Sequence, residues 1–215
     1  VILPDPDNLT RLQSALDGLH AVCIAVPPFD RRYLEMGLAV HFRCHHPEAD
    51  GIRVDVMSKL RGVEEFSQLW PRRTTVIVDG EPVELLSLPD LVRAKKTQRD
   101  KDWPMIRRLV DAHYDQNRDE PTEARVRFWL RESRTPEMLI RVAAENPEIT
   151  QQMIQVRPLL TETLAASRRA LAAELEIERV AEMEADQAYW RPLIRELEAM
   201  RLARRTRSDD TTHPG

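Results

Sequence analysis

Leucines recur at Leu9, Leu12, Leu16 and Leu19, three and four residues apart, the spacing of one apolar helix face. Asp7 or Asn8 is the expected cap of that helix. Ahead of it, Val1-Ile2-Leu3 is apolar and stops at Pro4, which reads as the tail of a strand that begins before residue 1. Residues 20–36 are mixed and turn-rich. The segments Leu38–Cys44 and Ile52–Met57 then alternate with period two, predicting two strands around the turn His45–Gly51. A short helix is expected over 63–70, closing on Trp70-Pro71. Thr74–Val78 and Val83–Leu86 flank Asp79-Gly80, the pattern of a tight hairpin.

After residue 87 the period becomes helical and stays so. Ser87-Leu-Pro-Asp90 is a helix start, a capping hydroxyl followed closely by proline. Helices are expected over 89–98, 102–115, 121–132, 136–145 and 148–156. The Ala-, Leu-, Glu- and Arg-rich stretch 159–206 predicts a long helix or a helical hairpin, with Pro192 as the place for a kink. Residues 207–215 are polar and predict a disordered tail. The expected fold class is α+β: an α/β domain over 1–115 with a small mixed sheet flanked by helices, then a helical domain over 116–206 containing a long helix.

Composition narrows the function classes. Over 215 residues, 32% are charged and 42% hydrophobic, which excludes wholesale disorder. No apolar run approaches the roughly 18 residues needed to span a bilayer, so no membrane partner is expected. Residues 1–5 lack a basic and apolar leader, and the two cysteines, Cys23 and Cys44, make no disulfide framework; the expected compartment is the cytoplasm. A net charge of -4 argues against bulk attraction to nucleic acid but allows a local basic patch. All four lysines, Lys59, Lys95, Lys96 and Lys101, fall between 59 and 101.

Two clusters carry candidate chemistry. If the two strands pair in matching register, His41, Arg43, Arg53 and Asp55 share one face. A carboxylate set in mid-strand among bases suits a hard divalent cation, and equally suits a solvated face laced with ion pairs. In Ala94-Lys-Lys-Thr-Gln-Arg-Asp-Lys-Asp102, six of nine residues are charged, at the corner between two predicted helices. Arg99 offers a fork and Lys95 or Lys96 a point charge for phosphate oxygens, while Asp102 is placed to cap the next helix; an ordinary solvated corner has the same composition. His45-His46 has no partner at ligand spacing, and there is no P-loop, Gly-x-Ser-x-Gly or His-Glu-x-x-His motif.

The runs Ile52–Met57, Phe66 with Leu69-Trp70, Val83–Val92 and Ala94–Asp102 together resemble the nucleotidyltransferase-like superfamily, and within it the bacterial proteins related to AbiEii toxins. The likeness covers residues 1–115. It implies a mixed sheet of the nucleotidyltransferase type and magnesium-dependent transfer of a nucleotide from a nucleoside triphosphate to an RNA or protein hydroxyl. Asp55 would then be a metal-holding carboxylate. Lys95 and Asp102 would join it as catalytic residues, and Lys96, Arg99 and Lys101 would bind nucleotide phosphates. The implied partners are the triphosphate, RNA and a cognate antitoxin; a second copy of the chain is expected from the helical stretch 159–206. One departure stands against this. The family's Gly-Ser turn followed by a strand-borne Asp-x-Asp is missing, and Asp5 and Asp7, split by Pro6, read as capping residues. Val1-Ile2-Leu3 reads as the end of the strand that would carry that pair, so the 215 residues alone are expected to be inactive. The alternative is a catalytically inactive interaction module that self-associates through its C-terminal helices.

Overall fold

The computed structural model describes residues 1–210, with side chains through Arg205. The chain forms two compact units, Val1–Leu85 together with the segment from Ala188 onward, and Leu86–Gln187.

In the first unit, α1 (Pro6–Gly18) starts on Asp5, whose carboxylate accepts from the Asn8 amide at 2.9 Å, with proline at the first helical position. The cap thus lies two residues before the expected Asp7, because Pro6 has no amide proton to lose and a φ already set for helix. The turn-rich stretch 20–36 holds two short elements that pattern reading passed over, β1 (Val22–Cys23) and α2 (Arg31–Glu35), the latter capped by Asp30. β2 (Val40–Arg43) and β3 (Arg53–Val56) follow, and the sheet order is β1-β2-β3, antiparallel throughout. The Ile2 amide donates to the Met57 carbonyl at 2.9 Å, so the apolar opening segment runs past the end of β3. Leu16, Leu34, Val40, Phe42 and Val56 form the core between helices and sheet.

A short helix α3 (Phe66–Leu69) and a 3-10 turn lead into a separate hairpin, β4 (Thr74–Val78) and β5 (Glu81–Leu85). Register pairs Val78 with Glu81, which leaves the two-residue loop Asp79-Gly80. Both loop residues have positive φ, +52° and +86°, the backbone of a type I′ turn, which suits Asp-Gly. The mixed sheet expected from sequence is therefore corrected: among the described residues there are two antiparallel sheets of three and two strands.

The second unit is helical. It contains α4 (Leu88–Ala94), α5 (Asp102–Asn117), α6 (Glu123–Glu132), α7 (Pro136–Glu145), α8 (Pro147–Ile154) and α9 (Thr161–Leu164). The first part of α10 (Arg168–Asp210) completes it, and the remainder of α10 belongs to the first unit. Ser87 caps α4 and Thr122 caps α6, as the hydroxyl-before-helix pattern implies. α10 continues through Pro192 as one helix. The tail expected over 207–215 lies, from 211 on, outside the described residues. Trp129, Leu130, Ile106, Leu139 and Leu171, all at most 2% exposed, fill the core.

Candidate functional site

The strand cluster forms as its period predicts. His41 pairs with Asp55 and Arg43 with Arg53, so the four side chains share the face opposite Val40, Phe42 and Val56. Asp55 Oδ1 accepts from Arg53 Nε at 2.7 Å and lies 2.7 Å from His41 Nδ1. Arg53 Nη2 also lies 3.0 Å from His41 Nδ1. The two imidazole contacts exclude one another: with a proton on Nδ1 His41 donates to Asp55, and without it Nδ1 accepts from Arg53. Burial pushes the Asp55 carboxyl up, but the hydrogen bonds and charges of Arg53 and His41 outweigh it and hold the group below its ordinary range. Asp55 is therefore an ionised, 44% exposed carboxylate beside two bases.

As a metal ligand it stands by itself. Among the described residues no group of three or more His, Cys, Asp or Glu converges on a point. Asp55 offers one carboxylate whose Oδ1 is already taken, so the described residues do not by themselves make a magnesium site.

The second cluster, Lys95–Asp102, lies in the helical unit. Asp102 is 3% exposed and is the first residue of α5 rather than its cap, which is Lys101. Its Oδ2 accepts from Thr97 Oγ1 at 2.6 Å and from Arg99 Nε at 3.0 Å, while Lys95 Nζ stands 4.0 Å from Oδ1. The carboxylate thus ties the corner between α4 and α5 together from inside. Trp103 Nε1 donates to the Thr97 carbonyl at 2.9 Å, and the Gln98 amide donates to Asp186 Oδ2 at 2.9 Å, which fixes the corner against α10. Lys96 turns inward: its Nζ lies 2.8 Å from Glu132 Oε2, an ion pair without hydrogen-bond alignment, and 3.7 Å from Glu182. Of the residues expected on phosphates, Arg99 and Lys101 are exposed and Lys96 is held internally.

Beside this corner is an ionic network that the sequence pattern did not disclose. Arg157, 4% exposed, donates to the Leu130 carbonyl at 2.8 Å, the Ser133 carbonyl at 3.0 Å and Glu178 Oε2 at 2.7 Å. Arg134 Nη1 donates to the same Glu178 oxygen at 2.8 Å. Burial pushes the Glu178 carboxyl up, but the bonds from Arg157 and the charges of Arg157, Arg134 and Lys96 bring it below its ordinary value. The available signal was on α10, where the buried positions Leu171 and Leu175 continue at helical spacing as Glu178, Glu182 and Asp186.

No family model, no curated protein and no solved structure matches this chain. No helix among the described residues is long and apolar enough to cross a membrane.

Proposed function

We propose that this chain is a nucleotidyltransferase-like protein that handles a nucleoside triphosphate, with Asp55 as its contribution to a carboxylate set that other residues must complete. The observation that carries this reading is the Asp55 cluster, an ionised carboxylate in mid-strand at the sheet face, flanked by Arg53 and His41. In the other compact unit, taken by itself, Lys101 is the exposed cation of the second cluster with no carboxylate partner among the described residues, while Asp102 holds Arg99 and the corner in shape. Magnesium enters only with carboxylates beyond those described, and the acceptor is an RNA or protein hydroxyl.

The test uses the protein purified at its natural length from its own cell. It is incubated with radiolabelled nucleoside triphosphates, magnesium and total RNA, and label transfer is followed. The expected result is transfer that Asp55→Asn abolishes with the melting temperature unchanged. Equal transfer by wild type and Asp55→Asn overturns the role of Asp55, and no nucleotide binding at all overturns the reading.

A second reading, an inactive module that self-associates through its C-terminal helix, is favoured by the exposed apolar side chains of α10. Ile177 is 61% exposed and Leu202 65%. Light scattering across a concentration series separates the two readings, since a monomer at every concentration removes self-association.

A further inference from the structure

The β4–β5 hairpin is a sheet of two strands, with no third strand on either side among the described residues. Such a ribbon is marginal in water until further strands join it. All of β5 is exposed, and so is every residue of β4 except Val76, with Ile77 at 67%. The turn sets which backbone groups point out. Residues flanking a two-residue loop form a hydrogen-bonded pair, so Val78–Glu81, Val76–Val83 and Thr74–Leu85 direct their backbone groups into the hairpin. The alternate residues direct theirs outward, Thr75 and Ile77 on the β4 edge, Pro82 and Glu84 on the β5 edge.

The two edges differ. On β5, Pro82 has no amide proton to offer, and Glu81 and Glu84 add charge; both devices keep a sheet edge from pairing. On β4, Thr74-Thr-Val-Ile-Val78 is β-branched throughout, with no charge and no proline. The open edge also fits itself. With two copies antiparallel about a two-fold axis at Val76, Thr75 of each lies opposite Ile77 of the other, and their outward amides and carbonyls bond reciprocally. Thr74 then lies opposite Val78, and Val76 opposite its own copy. The charges agree with this register. Arg73, which holds Glu84 of its own hairpin at 2.7 Å, comes level with Asp79 of the other copy as a second carboxylate, and this happens at both ends. A two-fold one residue to either side keeps neither of these charge pairings.

We propose that the β4 edge is a self-association surface, through which two copies of this chain join antiparallel into a four-stranded sheet. Pairing stops at two, because the edges left outside are the β5 strands with Pro82. A five-residue ladder is small beside a permanent interface, so the dimer is a reversible one. The contact is separate from the helix-borne association considered above and rests on neither reading of function.

Sedimentation of the full chain over a concentration series up to about 0.1 mM should show reversible monomer–dimer exchange and nothing larger. Ile77→Lys, at an exposed position, should weaken the dimer by about tenfold or more, since it sets two charges into the ladder. Val76→Cys should give a disulfide-linked dimer under mild oxidation, because a non-hydrogen-bonded pair brings opposed Cα atoms to about 4.5 Å, within disulfide reach. Val78→Cys, more exposed but opposite Thr74, should crosslink no faster than the wild type, whose Cys23 and Cys44 set the background. A monomer at every concentration overturns the proposal. So does a dimer that Ile77→Lys leaves unchanged, so does crosslinking through Val78→Cys as fast as through Val76→Cys, and so does growth past the dimer.

Discussion

The two compact units use the same side-chain types at different depths. In the first, Asp55 binds Arg53 and His41 on an open sheet face, with Asp55 44% and Arg53 52% exposed. In the second, Arg157 and Glu178 make a similar pair with the arginine 4% exposed, and two backbone carbonyls complete its shell. Water screens the first set, so the pairing contributes little to stability and the carboxylate stays free to exchange partners. In the second set both arginines have lost their water and Glu178 keeps only part of its own, so each member depends on the others. An ion pair on a surface is available for ligand chemistry, whereas one in a core acts as a structural element.

The largest expected effect tests the buried side. Arg157→Met leaves Glu178 with Arg134 as its remaining bonded arginine and strips the donors from the Leu130 and Ser133 carbonyls. A loss of about 3–5 kcal/mol is expected in urea unfolding. Adding Glu178→Met should deepen the loss, since it also takes from the buried Arg134 its hydrogen-bonded carboxylate. A single-variant loss under about 1 kcal/mol would place this network in the same class as the exposed one.

Acid should then dissolve the same network by titration. The folded Glu178 carboxyl is held below its ordinary value of 4.5, so its contribution is complete above that pH and is lost as the pH falls through the lower folded value. Melting followed from pH 6 to pH 3 should fall more steeply below about 4.5 in the wild type than in Glu178→Gln, because the variant has already lost the linkage. Parallel curves would show that Glu178 does not carry it.

The same contrast in depth governs what could be read from the chain. Helices α5 to α8 are legible because their apolar residues repeat with the helical period, and the β4–β5 hairpin because Asp79-Gly80 supplies two positive φ angles. Period two was also enough to put His41, Arg43, Arg53 and Asp55 on one face once the strands pair, though the register that sets His41 against Asp55 came from the structure. β1 and α2, two and five residues long, are too short for any period to show. The buried network was invisible for another reason. Glu178, Glu182 and Asp186 at helical spacing look like a solvated acidic face, and their partners Arg157, Arg134, Lys96 and the Gln98 amide come from distant segments. Asp102 is another such case: its charged neighbours suggested a surface corner, while Thr97 and Arg99 close over it.

A smaller effect comes from His113. Trp129 Nε1 donates to its Nδ1 at 2.9 Å, which requires that nitrogen unprotonated. Burial, with the nearby Arg125 charge, lowers the histidine below its ordinary 6.5. A neutral form favoured by folding contributes stability that is complete above about pH 6.5 and is lost as the pH falls toward the folded value. An NMR titration should place the His113 midpoint below 6.5. Trp129→Phe removes the donor and should cost about 1–3 kcal/mol. A His113 midpoint at or above 6.5 would mean that burial does not govern this ring.

The smallest expected effect is also the one on which the functional reading depends. Asp55→Asn keeps the shape of the side chain and removes the charge between Arg53 and His41. The stability change should stay within about 0.5 kcal/mol, as for other exposed pairs, and should shrink as salt is added, because exposed charges are screened over roughly 10 Å at 0.1 M. Near-zero cost is what a carboxylate available for a ligand requires, since a group that its neighbours do not need is one that a nucleotide or a cation can recruit. A cost approaching that of Arg157→Met, insensitive to salt, would instead make Asp55 a fixed part of the sheet, and the two units would then differ in depth without differing in use.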